Sequence, residues 1–193
     1  MKSSFILVCL TTIIVASSAY GATFHGRVID ADSKEPIEGA VVLASWTEEQ
    51  GTPTGGTSRL HDVKETLTDK NGAWVMKGPR GVRSDFLEGV YTILSMIFFS
   101  YYTKPPEFVV FKPGYCSWPN GFSIEACKVK IKPVGSYQVA DGKTVELPKL
   151  TSRQDRLLLN MPELIAGKNA IPKQKEYIRL INEERRILGL KEY

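Results

Sequence analysis

Short runs of alternating apolar and polar residues, separated by turn residues, follow one another through most of the chain. Such runs are typical of strands with one face in a core and the other in solvent. The residues Asp69–Gly72 lie between two of them and have the composition of a hairpin turn. The pattern predicts a mainly β body with strands at Thr23–Asp30, Ala40–Trp46, His61–Thr68, Ala73–Lys77, Glu107–Lys112, Lys128–Lys132 and Lys143–Leu147.

Two stretches between these strands depart from the alternation. Glu48–Ser58 is polar and contains several Gly and Pro residues, which predicts a flexible loop. Gly89–Thr103 carries no charge and is rich in aromatic and β-branched residues, which favours a buried strand, or two strands with a bend. It is shorter than the roughly 20 residues that a membrane-spanning helix needs. An exposed surface that binds a partner is the alternative interpretation of this stretch.

The periodicity changes to that of helices after Pro148. Ser152 is placed to cap a short helix that carries Leu157–Leu159. A second, amphipathic helix is predicted from Pro172 to about Gly189. We favour the interpretation that this helix packs on its own β body; the alternative is that it presents an apolar face to a partner protein. The face in question contains Tyr177, Ile178, Leu180, Ile181 and Leu188, with Tyr177 and Ile181 as the candidate binding residues.

The N-terminal residues have the pattern of a secretory signal peptide. Lys2 precedes an apolar run, Phe5–Ala16, and small residues lead up to Gly21, after which we expect cleavage. A periplasmic or secreted protein with no stable membrane span is therefore predicted. A retained anchor is the alternative, because Ser3–Phe24 is uncharged and long enough to span a bilayer. The predicted organisation is a signal peptide at 1–21, a β body at 22–150 and a helical extension at 151–193.

Export would place the cysteines in a compartment where disulfide bonds form. If Cys9 leaves with the leader, Cys116 and Cys127 remain as an even pair in an oxidising compartment, which predicts a disulfide bond. Such a bond would stabilise the fold by about 3 kcal/mol in the chain-entropy model. Two free thiols are the alternative. His25 and His61 lie far from the cysteines without the paired spacing of metal ligands, so neither a metal nor a cofactor is predicted.

The distribution of charged residues argues against a nucleic-acid partner and gives one weak candidate for a calcium site. The formal net charge is +4, and the basic residues are interspersed with acidic ones, so no nucleic-acid partner is predicted. Asp30, Asp32, Asp69 and Asn71 could gather oxygen ligands for calcium at one end of a sandwich. Their spacing matches no calcium loop, and ordinary polar turns are the favoured interpretation.

Four short blocks of sequence point to a family. They are Gly26–Asp30, Glu35–Val42, Thr68–Gly72 and Lys112–Tyr115. In this order, over about Thr23 to Lys132, the chain resembles the carboxypeptidase regulatory-like domains, which are transthyretin-like (prealbumin-like). The resemblance implies a seven-stranded Greek-key sandwich of two sheets, here with a C-terminal helical extension. It also implies roles in adhesion, scaffolding or glycan contact, and it carries no active-site residue.

The sequence lacks two common signatures of catalytic sites. There is no Gly-x-Ser-x-Gly elbow and no His-Glu-x-x-His motif, so we expect no enzyme and no catalytic residue. The first hypothesis is a non-catalytic exported module that binds a protein partner or supports an assembly in the cell envelope. The alternative is a carbohydrate-binding module centred on Trp118, with Trp46 and Trp74 in the core. An uncharacterised hydrolase comes third, and it would require His61 to meet a carboxylate and a hydroxyl.

Overall fold

The computed structural model describes residues 22–52, 55–79, 101–119, 127, 141–158, 163–167 and 169–193. The predicted leader, the strand at Lys128–Lys132 and most of Gly89–Thr103 lie outside these residues. The described chain is mainly β, as the alternation predicts. Its elements are β1 (Thr23–Asp30), β2 (Val41–Thr52), β3 (Gly55–Leu67), β4 (Ala73–Lys77), β5 (Tyr102–Thr103), β6 (Glu107–Phe111), β7 (Thr144–Leu147), α1 (Arg153–Leu158), a 3-10 turn (Ile171–Lys173) and α2 (Lys175–Leu188).

The described strands form two sheets. The first has the order β4-β1-β7, and β7 runs parallel to β1 with Arg27 opposite Thr144. The second has the order β3-β2-β5, and β6 also pairs with β2 in antiparallel register, with Val41 opposite Phe111. None of the helices formed by the described residues is long and apolar enough to cross a membrane.

The chain divides into two compact units. The first, which we call the hairpin unit, contains residues 22–23, 46–52, 55–61, 77–79 and 101–105 of the described chain. The second, the core unit, contains residues 24–45, 62–76, 106–119, 127, 141–158, 163–167 and 169–193. The helical extension predicted at 151–193 therefore belongs to the same unit as most of the first sheet.

Strand β2 is buried on both faces within the core unit. Val41 and Leu43 belong to a cluster that includes Phe111 and the side chains of α2. Val42 and Ala44, at the alternate positions, are equally buried. Because successive side chains of a strand point to opposite faces, one face of β2 packs against α2 and the other packs elsewhere in the core. This explains why the first half of β2, residues 41–46, is almost continuously apolar.

The C-terminal helix packs on its own β body. Tyr177 and Ile181 are fully buried, and the ring of Tyr177 meets that of Phe111 edge to face at 6.3 Å between centroids. Tyr177 and Ile181 are therefore core side chains, and the exposed contact surface considered for them does not exist in this structure. The helix ends at Gly189, and Ser152 caps α1 through the backbone N–H of Asp155 at 3.0 Å, as their residue types predict.

The flexible loop predicted at Glu48–Ser58 is wrong for the described residues of that range. Residues 48–52 complete β2, and residues 55–58 begin β3. The prediction relied on the lack of apolar side chains, but Glu48 and Glu49 at the end of β2 pair with charged and aromatic side chains of neighbouring segments. Those pairs are the main feature of the hairpin unit.

Candidate functional site

Side chains of β2 and β3 are joined through Glu48 in the hairpin unit. Its Oε2 atom accepts a hydrogen bond of 2.8 Å from Nε of Arg59 and lies 2.8 Å from Nη2 of the same side chain. Its Oε1 atom lies 2.8 Å from Nδ1 of His61. The Glu48 side chain is 16% exposed, so solvent screens these contacts less than it screens a fully exposed pair. Glu48 therefore fixes the positions of two side chains on the neighbouring strand.

Arg59 connects this carboxylate to an aromatic ring. Its guanidinium carbon lies 4.1 Å from the centroid of the Tyr101 ring, which is a cation–π contact. Such contacts are worth about 0.5–1 kcal/mol at exposed sites. Tyr101 is 42% exposed, so the ring offers surface to solvent although its orientation is held by Arg59.

Glu49 organises a second set of contacts within the same unit. Its Oε1 atom lies 2.9 Å from Nζ of Lys104, and its Oε2 atom accepts a hydrogen bond of 3.1 Å from the hydroxyl of Tyr102. Glu49 pairs with Tyr102 in the register of β2 and β5, next to the pair of Glu48 and Thr103. Because adjacent residues of a strand point to opposite faces, the acids are compensated on both faces of β2. We call these residues the hairpin cluster: Glu48, Glu49, Arg59, His61, Tyr101, Tyr102 and Lys104.

The contact between His61 and Glu48 is the closest approach to catalytic chemistry in the described residues. A carboxylate that holds Nδ1 of a histidine orients the ring as a general base requires. His61 forms no hydrogen bond to a hydroxyl within the described part of the chain, whereas Glu48 is also engaged by Arg59. No group of three or more His, Cys, Asp or Glu side chains in the described residues is arranged to hold a metal ion.

The cysteines lie in the core unit. The sulfur atoms of Cys116 and Cys127 are 1.96 Å apart, a bonded distance, and the side chains of Leu150 and Trp118 pack against them. Trp118 also pairs with Val110 through two backbone hydrogen bonds of 2.8 and 2.9 Å. It is partly buried in this position and does not stand free as the exposed platform considered for glycan binding.

The two other tryptophans are core residues, as their positions in strands predict. Trp46 and Trp74 are both buried. In the core unit, the indole of Trp74 lies 5.5 Å from the ring of Phe108 between centroids, and Phe108 also meets Phe24 at 5.7 Å. Aromatic rings in this arrangement stabilise the interior and are not available to a ligand.

The acidic residues considered for calcium cap turns instead. Asp30 accepts hydrogen bonds from the backbone N–H groups of Asp32 and Ser33 at 2.8 and 3.0 Å. Burial alone would raise the pKa of the Asp30 carboxyl, but these bonds and the hydroxyl of Tyr115 outweigh it and lower the pKa. Asp69 likewise accepts from the N–H groups of Asn71 and Ala73, each at 2.8 Å. Both carboxylates are thus used by the backbone, as in ordinary polar turns.

A buried ion pair attaches α2 to the rest of the core unit. Glu184 is only 1% exposed, and its two oxygens accept hydrogen bonds from Nε and Nη2 of Arg156 at 2.7 and 2.5 Å. The N–H group of Gly114 donates a third bond at 2.9 Å. The hydrogen bond to Glu184 raises the pKa of the Arg156 guanidinium, so this group stays charged. One sequence signal could have revealed it, namely a glutamate within the apolar stripe that contains Tyr177 and Leu188.

Sequence reasoning missed the charged members of the hairpin cluster, Glu48, Glu49, Arg59 and Lys104. Of its members, His61 was considered for catalysis, and Tyr101 and Tyr102 belong to the stretch Gly89–Thr103 whose alternative interpretation is a partner-binding surface. The available signal was the arrangement of opposite charges on either side of a glycine-rich stretch of sequence, with Glu48 and Glu49 before it and Arg59 after it. No protein-family model matches this chain, and no curated protein was found to match it.

Proposed function

We propose that the protein is a non-catalytic exported β-sandwich module that binds a protein partner of the cell envelope through the hairpin cluster. The observation that carries the proposal is the pair formed by Arg59 and Tyr101, which is exposed but held in place by Glu48. Tyr and Arg are enriched among the residues that dominate binding energies. Side chains that are ordered before binding lose less conformational entropy on association.

Four features of the core unit support a fold of the carboxypeptidase regulatory-like, transthyretin-like kind. Each block of the resemblance has a structural task here. Ile37 is buried as the apolar anchor after Pro36, and Gly39 takes a φ of +67° where the chain enters β2. Gly72 has a φ of +71°, and a Cβ atom there would come within 2.2 Å of the carbonyl oxygen of Val28. Tyr115, from the last block, bonds to Asp30 from the first.

Three carboxylates of the core unit favour a structural over a catalytic role. Glu184 is neutralised by Arg156, and Asp30 is saturated by backbone donors and Tyr115. Glu65 on β3 accepts hydrogen bonds from the N–H groups of Glu176 and Tyr177 at the start of α2. Groups that are committed in this way hold elements together and are poorly suited to proton transfer with a substrate. The bonded cysteines support export, because disulfides persist in oxidising compartments.

The test compares two pairs of the same kind. Arg185 lies over the ring of Tyr193 at 4.5 Å in the core unit, and Tyr193 is 64% exposed. The double variant Arg185→Ala/Tyr193→Ala therefore matches Arg59→Ala/Tyr101→Ala in chemistry but not in location. Both variants and the unmodified protein are immobilised, cross-linked with envelope extract and analysed by mass spectrometry.

The proposal expects one or more proteins that are retained by the unmodified protein and by the control variant but lost with the hairpin variant. Equal recovery on all three baits would contradict it. A parallel assay measures retention on insoluble envelope polysaccharide. Retention there that depends on Tyr101 would favour the carbohydrate-binding alternative instead.

A further inference from the structure

The disulfide bond is enclosed within the core unit. Cys116 and Cys127 are both fully buried, and the cluster that covers them contains Leu150 and the partly buried Trp118. Leu150 follows both cysteines in the chain. A side chain that is synthesised later than the two cysteines therefore contributes to their enclosure.

Backbone hydrogen bonds hold the residues around Leu150 in this position. The N–H group of Cys116 donates to the carbonyl oxygen of Pro148 at 2.9 Å, and the N–H group of Leu150 donates to the carbonyl oxygen of Gly114 at 2.8 Å. We call residues 148–150 the cover segment. It continues directly from β7, whose pairing with β1 also depends on the folded sheet. The cover segment thus reaches the cysteines only when this part of the body has folded.

Thiol–disulfide exchange requires a thiolate to reach a sulfur atom directly. In the closed core unit neither sulfur is accessible. We infer that the bond between Cys116 and Cys127 forms before the cover segment docks, by exchange with the disulfide of an oxidoreductase that acts on the open chain. The folded, oxidised protein is then a poor substrate for the reverse reaction.

The proposed exchange has two steps. The thiolate of one cysteine attacks the disulfide of the oxidoreductase, which gives a mixed disulfide and releases one thiolate of the enzyme. The thiolate of the other cysteine then attacks the sulfur of the first and releases the second thiolate of the enzyme. Two electrons pass from the cysteines of this chain to the oxidoreductase, whose dithiol takes up the two protons that the cysteine thiols lose.

The enclosure is tested on the oxidised full-length protein. Dithiothreitol is added in native buffer or in concentrated urea, and free thiols are alkylated and counted by mass spectrometry over time. We expect reduction in native buffer to be at least about a hundredfold slower, because it requires an opening of the folded core. Equal rates in the two solvents would overturn the inference.

Two leucine variants locate the enclosure. Leu150→Ala shortens a side chain that covers the bond, so reduction in native buffer should become about tenfold faster than in the unmodified protein. Leu157→Ala changes an exposed leucine of α1 and should leave the rate unchanged. Circular dichroism establishes that both variants are folded. Equal reduction rates for a folded Leu150→Ala variant and the unmodified protein would contradict a covering role of the segment.

The order of events is tested from the reduced, urea-unfolded chain. A purified, oxidised thioredoxin-type oxidoreductase is added either at the start of refolding or after the β signal in circular dichroism has recovered. The inference expects rapid bond formation only with early addition. A reduced chain that regains its β signal only after oxidation would also show that the disulfide bond forms before the cover segment docks. A refolded, reduced chain that oxidises as fast as the open chain would overturn the inference.

Discussion

The hydroxyl of Tyr115 donates a hydrogen bond to the carboxylate of Asp30, which joins the end of β1 to the turn that follows β6. The same carboxylate accepts two backbone N–H groups of the turn after β1. Burial, together with the charge of Asp30, raises the pKa of the Tyr115 hydroxyl, so this group remains a donor at neutral pH. One acidic side chain thus connects two turns that are more than 80 residues apart.

Replacing Tyr115 by Phe should destabilise the protein by about 1–2 kcal/mol, because a hydrogen bond to a charged group is lost. The effect should depend on pH. The pKa of Asp30 is lowered in the folded protein, so its contribution is present at neutral pH and is lost as the pH falls below about 4, through the folded pKa. Urea unfolding at a series of pH values from 7 downward measures both: the two proteins should differ at pH 7, and the difference should decrease as the pH falls through the folded pKa of Asp30. A difference that stays constant down to the lowest pH at which both proteins fold would contradict the role of the ionised carboxylate.

Replacing Arg156 by Ala should cost about 3 kcal/mol, because it leaves the carboxylate of Glu184 buried without its cation. Arg179→Ala is the matched control. Arg179 pairs with Glu176 on the exposed face of α2, where both side chains are largely in solvent, and such pairs contribute about 0.5 kcal/mol or less. Equilibrium unfolding in urea at neutral pH compares the two variants. Similar losses of stability in the two variants would show that the burial of Glu184 does not determine the effect of removing Arg156.

The start of α2 gives a prediction about local opening. Gln174, at the N-cap position, does not cap the helix with its side chain, and Glu65 from β3 receives the N–H groups of Glu176 and Tyr177 at 2.9 Å instead. Glu65→Ala should therefore lower stability by about 1–2 kcal/mol, the range for loss of a helix cap. Amide hydrogen exchange should accelerate in the first turn of α2 more than at Arg185. Uniform acceleration along the helix would mean that Glu65 acts through global stability alone.

The sequence predicts those elements whose stabilising contacts follow from a local pattern, and it misses those that depend on particular pairs of side chains. The ends of β1 and β4 agree with the predicted strands Thr23–Asp30 and Ala73–Lys77, because an alternating pattern and a local turn determine both. The outer parts of β2 and β3 were missed because their order comes from polar contacts between strands, such as that between Glu48 and Arg59. An apolar pattern carries no record of such charge pairs.

The C-terminal helix is a second case in which the sequence predicts an element but not its packing partners. Its 3.6-residue periodicity predicts α2 and its buried face correctly, but periodicity does not say which surface covers that face. The side chains that decide this, Glu65 and Arg156, lie outside the helix, and each satisfies a polar group at a particular position on it. Tertiary partners of this kind become visible only in the folded structure.

Substitutions of Tyr177 distinguish the apolar from the polar contribution of α2 to stability. The side chain is fully buried against Phe111, and none of the described residues forms a hydrogen bond with its hydroxyl. Burial, and to a lesser extent Tyr193, raises its pKa, so the group stays neutral at all ordinary pH values. Tyr177→Phe should then be neutral or should stabilise the protein by up to about 1 kcal/mol, because the cost of burying an unpaired polar group disappears.

Tyr177→Asp should instead cost more than about 3 kcal/mol, because an unpaired carboxylate would occupy the same apolar site. Urea unfolding of both variants at pH 7, with circular dichroism of the helix signal, distinguishes the two effects. A large loss of stability for Tyr177→Asp and none for Tyr177→Phe would establish that apolar packing around Tyr177 holds α2 on the β body. If Tyr177→Phe were destabilising by 1 kcal/mol or more, the hydroxyl would have a partner in solution, such as a buried water molecule, and this account of the helix interface would fail.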